Sequence, residues 1–316
     1  MSAYDRYNVD IPYKDMPPSM FTVVGVSDDG DEIVRPSTSY WHDVWQRFRH
    51  DRLAMIGLII LGIMVAACIL IPEFSDKTYD GMDFFNSRQP PSREHLCGTD
   101  AMGRDLFIRI MYGARISLAV GFVAAAINLF VGVIYGGISG YIGGRTDMVM
   151  MRIVDILTAL PSLLYVLLIM LILGSTVQSV IIALCFTSWI GTARVVRSEI
   201  LRLKHSEYIM AAKLAGAKLP TLLFRHLVPN AMGPIIVSTA FLVPSAIFSE
   251  AFLSFLGIGI QVPMASWGTL ANEGQAWMSE MPWLLIFPVA AICITMLSLN
   301  FIGDGLRDAL DPRLKH

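Results

Sequence analysis

Residues able to do chemistry are few in this 316-residue chain, and they are poorly grouped for catalysis. No G-x-x-x-x-G-K-[ST] run is present to cradle a nucleotide phosphate, and neither H-E-x-x-H nor G-x-S-x-G occurs. His95 and Cys97 could ligate a metal, but two ligands without nearby partners make a poor site, so no metal is expected. Cys68, Cys185 and Cys293 lie in apolar stretches and Cys97 stands alone between them, which argues against an intrachain disulfide. Asp155 and Glu250 border long apolar runs closely, each near an end. A proton-driven pump would place ionisable groups deeper and in relays. Asn128 is more central, where a hydrogen bond between helices suits it. The densest chemistry is cationic: seven Lys and Arg between Arg194 and Arg225. No catalytic set emerges, so the chain is expected not to be an enzyme. If it transports, its energy must come from another subunit.

The elements that position these residues follow from charge scarcity. Hydrophobic residues make up 54% of the chain and charged ones 16%, with mean hydropathy +0.57. A soluble domain carries about 25% charged residues. No charge falls in Leu53–Ile71, Ile116–Ile142, Ile156–Ala193, Leu227–Ser249 or Met281–Gly303. Uncharged runs of about 18 or more residues read as membrane helices. That excludes a soluble enzyme, a disulfide scaffold and a nucleic-acid binder. The third run is too long for one crossing and is broken at Leu173-Gly174-Ser175-Thr176. An all-α polytopic membrane protein is therefore expected, with six transmembrane helices near 53–71, 117–140, 155–173, 178–193, 231–250 and 283–303. With both termini cytoplasmic, 18 of the 24 Lys and Arg lie inside, which satisfies the positive-inside rule. The first 39 residues read as a flexible cytoplasmic tail, and 40–72 as an interfacial helix (Tyr40–Arg52) plus a retained first span. The segment 73–115 is an extracytoplasmic loop, 116–303 a five-helix core with a cytoplasmic loop at 194–230, and 304–316 a cytoplasmic tail.

Within the 194–230 loop, Ser206–Leu214 reads as a short helix with Ser206 as its cap and Gly216 at the left-handed C-terminal position. Lys218–Leu223 opens a second helix that tolerates Pro220 in its first turn. A helix–Gly–helix lying across the membrane face could be gripped by a soluble partner. It could equally be an amphipathic loop held at anionic lipid by its seven cations.

Ala211-Ala212, Gly216 four residues on and Pro229 thirteen further resemble the EAA loop of importer permeases in the ABC transporter superfamily. The loop departs from that pattern at Met210, where the family has Glu; Glu207 lies one turn earlier. His95-Leu96-Cys97-Gly98-Thr99-Asp100-Ala101-Met102-Gly103-Arg104-Asp105, with Tyr112–Leu118 (YGARISL), is similar to the GTD-x-x-GRD signature. That signature marks the C-type permease of the oligopeptide, dipeptide and nickel uptake systems. Glu250–Gly257 (EAFLSFLG), Ser266-Trp267-Gly268 and the closing Asn300–Arg313 run complete a resemblance over about residues 40–316.

The resemblance implies the type I ABC importer permease fold in a bacterial or archaeal cell membrane. It also implies a paired homologous permease, two ATP-binding subunits that carry ATP and Mg, an extracytoplasmic solute-binding protein, and an oligopeptide as cargo, with dipeptides, nickel chelates or another small solute as alternatives. Coupling to the ATPases would fall to Glu207, Tyr208, Ala211, Ala212, Gly216 and Ala217. Outside, Gly98, Thr99, Asp100, Gly103, Arg104, Asp105 and Trp267 would form a folded cap, a contact for the binding protein, or both. Asp100 and Asp105 suit turn caps there, and Gly98 and Gly103 suit positive φ. Glu250 and the 251–282 loop, with Trp267, Trp277 and Trp283, are expected at the outer surface. Gly132, Gly136, Gly140 and Gly144 form a small-residue stripe for helix packing. Pro161 and Pro244 are expected to break their spans, which nominates Pro161, Tyr165, Phe241, Ser245 and Phe248 as an uncharged pathway wall. Arg115 is expected to pair locally. Rival readings are an ion-coupled secondary transporter, which would need intramembrane acids and inverted repeats, and a membrane scaffold, which would not need Pro- and Gly-broken spans.

Overall fold

A computed structural model describes residues 40–261 and 264–311. The 1–39 tail and the closing Pro312 and Arg313 lie outside the described residues. The chain divides into two units, Met1–His42 and Asp43–His316, and the second contains every helix of membrane-spanning length among the described residues.

Helix α1 (Tyr40–His50) is followed directly by α2 (Arg52–Phe74), whose first amides at Leu53 and Ala54 are accepted by the Asp51 carboxylate at 2.9 and 3.3 Å. At 1.5 Å per residue, α2's 23 residues reach about 34 Å, enough for a hydrocarbon core. An ordered loop then leads to α3 (Leu106–Ile142), α4 (Gly144–Thr158), α5 (Ser162–Leu173) and α6 (Val177–Leu203). The short α7 (Glu207–Leu214) precedes α8 (Leu219–Thr221), a π turn over Leu222–Leu227, and α9 (Val228–Asn230). The last elements are α10 (Met232–Phe255), α11 (Trp267–Ala276) and α12 (Trp283–Leu310). Among the described residues the only extended pairing is a single bridge between Thr99 and Asp105.

Among the described residues five helices (α2, α3, α6, α10 and α12) are long and apolar enough to cross a membrane, and α4 with α5, bent by 78° at their break, brings the number to six if the pair is one span. The bend falls at Pro161, where a break was expected. Pro161 has no amide to donate and disfavours helix at the residue before it, so α4 stops at Thr158 and α5 restarts at Ser162. Pro244 does not break its span: it lies inside a continuous α10. Helix α3 begins eleven residues before the expected start at 117 because Arg109 and Arg115, read as loop charges, both find partners. Helix α6 likewise runs on to Leu203, since Arg197 and Arg194 pair with Asp147 and Asp155. The coupling segment proper is therefore shorter than 194–230. Helix α12 absorbs most of the expected C-terminal tail.

Helices α3 and α6 make the most extensive pairing. A side chain at Gly132, Gly136 or Gly140 would collide with Thr192, the Ala193 carbonyl or the Arg197 carbonyl, so the three glycines let α3 lie directly on α6. Gly144 is not part of this stripe: it opens α4 with free space around it. The Asn128 side-chain oxygen, buried on α3, has no hydrogen-bond partner among the described residues, contrary to the expected interhelical bond.

Candidate functional site

The first candidate is the surface segment 204–230. Helix α7 is closed by a Schellman arrangement: Ala217 N donates to Ala212 O and Gly216 N to Lys213 O, both at 3.0 Å, with Gly216 at φ +82°. Ser206 occupies the N-cap position, yet its hydroxyl donates back to Leu203 O at 2.7 Å and caps nothing. Ile209 is the inward anchor. It is fully buried in a cluster with Val196 and Ile200 of α6, Leu223 and Leu227 of the π turn, and Ile235 of α10. Lys204 Nζ donates to Gly140 O at 3.0 Å at the end of α3, and Lys213 stands 5.1 Å over the Tyr141 ring. On the other side Glu207, Tyr208, Ala211 and Gly216 are exposed, Ala212 and Ala217 half-buried, and Leu214 is 91% exposed. A displacement of α7 thus acts on α3, α6 and α10 together. Local sequence does not single out Ile209, Leu227 or Lys204; the apolar spacing from Ile209 to Leu227 crosses a turn, where helical periodicity gives no signal.

The second candidate is the outer cap. Asp105 caps α3 through the Phe107 and Ile108 amides, while its other oxygen takes Lys77 Nζ at 2.8 Å and His95 Nδ1 at 2.9 Å. Burial pushes this carboxyl upward, but the bonds from Lys77, His95 and the Ile108 amide outweigh it and hold it below the ordinary carboxylate value. Burial, aided by Asp105, pushes the Cys97 thiol up to about 11, so it stays protonated. Asp100 accepts the Met102 and Arg104 amides and joins a buried ion cluster. In it, Arg104 and Arg109 both pair with Asp100 and with Glu273 of α11, at 2.6 to 3.2 Å. Gly98 and Gly103 take φ +81° and +75°. The cluster lines a cavity of about 370 Å³ with Asn272, Met102 and Trp277 at its edges.

Thr99, Asp100, Arg104 and Asp105 are buried by this packing. Trp267, expected in a surface cover, is 0% exposed; its Nε1 donates to Ile110 O at 3.1 Å. Glu250, also expected outside, is instead fully buried, accepting from Ser117 and Ser254 at 2.8 Å each. Ser117 in turn accepts the Trp267 amide, so α3, α10 and α11 meet on one carboxylate. Arg115 pairs locally, with Cys68 O, Ile69 O and Glu73 at the end of α2. Neither Arg109 nor Glu273 stands out in the sequence, because 164 residues separate them.

The third candidate is the uncharged wall. Ser162, next to Pro161, and Phe248 line one groove of about 250 Å³ between α5, α6 and α10, with Thr187 and Ser188 opposite. Tyr165 lies 5.2 Å from the Phe186 ring. Phe241 is not part of this groove: it packs toward Gly303 of α12, and Ser245 donates to its carbonyl at 2.9 Å.

A bundle of membrane-length helices, with a packed outer cap and a surface helix tied to three spans, defines a multi-pass membrane protein. Residues 130–316 match the family described as "Binding-protein-dependent transport system inner membrane component", and residues 39–91 match the "N-terminal TM domain of oligopeptide transport permease C". The chain belongs to this family of ABC importer permeases, as a C-type subunit. It is 49% identical to the oligopeptide transport system permease protein OppC of Bacillus subtilis (strain 168), over 96% of this chain and 99% of that one. Identity is 47% to the dipeptide transport system permease protein DppC of the same organism, over 91% and 90%. It is 44% to the OppC of Escherichia coli (strain K12), over 87% and 92%. A solved structure described as an inward-facing conformation of the MetNI methionine ABC transporter aligns with a TM-score of 0.49 at 16% identity, over 65% and 96%.

Proposed function

We propose that this chain, with a paired permease, forms the pathway for peptide uptake, driven by two ATP-binding subunits that carry ATP and Mg and fed by an extracytoplasmic solute-binding protein. Both termini and α7 then face the cytoplasm, and the 75–105 loop faces outward. The carrying observation is α7: apolar and exposed on one side at Leu214, buried on the other at Ile209 among residues of α6 and α10. Closure of the ATPase pair would push α7 and tilt the spans it is anchored to. The names of the relatives favour oligopeptides or dipeptides as cargo. Pro161, Tyr165, Ser245 and Phe248 remain proposed pathway residues, with Phe241 acting through helix packing.

The test is ATP hydrolysis by the purified complex in lipid, with its binding protein, across a series of peptide lengths. Peptide-stimulated hydrolysis is expected. Stimulation by nickel chelates alone would move the cargo; no stimulation in an assembled complex would refute the transport reading.

A further inference from the structure

Outside the spans, most apolar side chains should be covered, yet the turn Phe84–Asn86 is not: Phe85 is 99% exposed, and Phe84 and Met82 beside it are mostly exposed. The turn is nonetheless held from several sides. Asp83 accepts the Phe85 amide at 3.1 Å and the Asn86 side-chain amide at 2.8 Å. Fully buried Thr99 donates to Asn86 O at 2.6 Å and accepts the Gln89 amide at 2.8 Å. The Asp83 carbonyl sits where a side chain on Gly103 would go. Arg88, the one non-glycine residue with positive φ (+59°) among the described residues, is held by its amide on Asp100 O at 3.0 Å, and its guanidinium stacks 4.8 Å over Trp277. Two aromatic side chains are thus presented from an anchored backbone, the pre-organised state that makes an interface anchor effective.

The bilayer is a poor occupant. Arg115, bonded to the last carbonyls of α2 and to Glu73, marks the outer edge of the uncharged run Leu53–Ile71. From Arg115 to the Asp105 cap, α3 rises about 15 Å, and the turn rests on Gly103 beyond that cap. The headgroup layer adds only about 5 to 7 Å on each side. With α3 near the membrane normal, Phe84 and Phe85 stand beyond the headgroup layer. The turn is joined to the cavity lined by Met102, Trp277, Asn272 and Glu273 through Gly103, which follows Met102 and meets the Asp83 carbonyl, and through Arg88 over Trp277, so the aromatic turn neighbours a socket that holds a partly exposed, Arg-paired carboxylate. Exposed aromatics next to a partly polar pocket are the composition of a protein–protein contact.

We infer that the Phe84–Phe85 turn, with the Met102–Trp277 socket beside it, is the docking surface for the soluble solute-binding protein. The inference rests on the proposed orientation, and it fits a family described as binding-protein-dependent. Of the Gly98–Asp105 motif only exposed Met102 takes part in the contact; buried Thr99, Asp100, Arg104 and Asp105 serve as the turn's foundation.

The test uses the complete transporter in lipid nanodiscs with its peptide-loaded binding protein. Phe85→Ala should raise the binding-protein concentration that half-stimulates ATP hydrolysis by about tenfold. Because Phe85 buries almost nothing, this variant should assemble normally. A photoreactive benzoylphenylalanine at position 85 should crosslink to the binding protein. A half-stimulating concentration within twofold of wild type, or crosslinks only to the paired permease, a second copy or lipid, would overturn the inference. If wild-type hydrolysis is not stimulated by the binding protein at all, the transport reading itself has failed.

Discussion

At the scale of single residues, Asp105 carries two separable duties, capping α3 and pairing with Lys77 and His95. Asn keeps a cap but not the ion pair; Ala loses both. Asp105→Ala is expected to cost about 1 kcal/mol more than Asp105→Asn. The ion pair adds little because Lys77 is 43% exposed and screened by solvent. Thermal unfolding of the purified complex would order the three proteins. The pH dependence has a definite sign: with the folded value lowered, the stability from Asp105 is complete above the unfolded value of about 3.9. It is lost as pH falls through the depressed folded value. Between pH 5 and 8 this group predicts no change in the outer cap. Arg109 is a stronger case because it is 1% exposed and bridges Asp100 and Glu273. Arg109→Leu should destabilise by about 3 kcal/mol by stranding those carboxylates, and adding Glu273→Leu should recover part of the loss. Equal stability of single and double variants would show that Arg104 alone satisfies the cluster.

At the scale of elements, legibility in the sequence follows the range of the signal. The Asp105 cap, the positive φ of Gly98, Gly103 and Gly216, and the extent of α7 are written in neighbouring residues, and each can be read locally. The early start of α3 and the late end of α6 cannot be read that way. Charges that look like loop become helix only once Arg109 meets Glu273 and Arg197 meets Asp147, pairs 164 and 50 residues apart. The burial of Glu250 is hidden for the same reason, since the hydroxyl of Ser117 that satisfies it lies 133 residues away. Pro161 and Pro244 look alike in sequence, yet one ends a helix and the other sits inside one. The glycine stripe yields a test at this scale. Gly136→Val should force α3 off α6 and cost about 2 kcal/mol or more, because its side chain would enter the space of the Ala193 carbonyl. Gly191→Ala, within α6 and facing open space, should be neutral or stabilising by up to about 1 kcal/mol. Chemical unfolding of the two variants in detergent would separate packing from helix propensity.

At the scale of the whole molecule, the proposed coupling needs α7 to be both gripped and rigidly joined to the spans, and different residues meet these needs. Leu214 is 91% exposed, so Leu214→Asp should leave the fold intact. A charge placed in an apolar contact with an ATPase should weaken that contact by about tenfold, as judged by ATPase subunits retained on purification. Ile209 lies at the other end of the lever. Ile209→Ala would open a cavity between α7 and the Val196, Leu227 and Ile235 side chains, at a cost of about 2 to 4 kcal/mol. It leaves the exposed face of α7 unaltered, so ATPase subunits should still co-purify and hydrolyse ATP, while uptake per ATP falls. Loss of hydrolysis in both variants would mean that Ile209 holds the docking face in shape and transmits nothing. Unchanged subunit retention and uptake in Leu214→Asp would remove α7 from the contact altogether, and the drive would have to enter elsewhere.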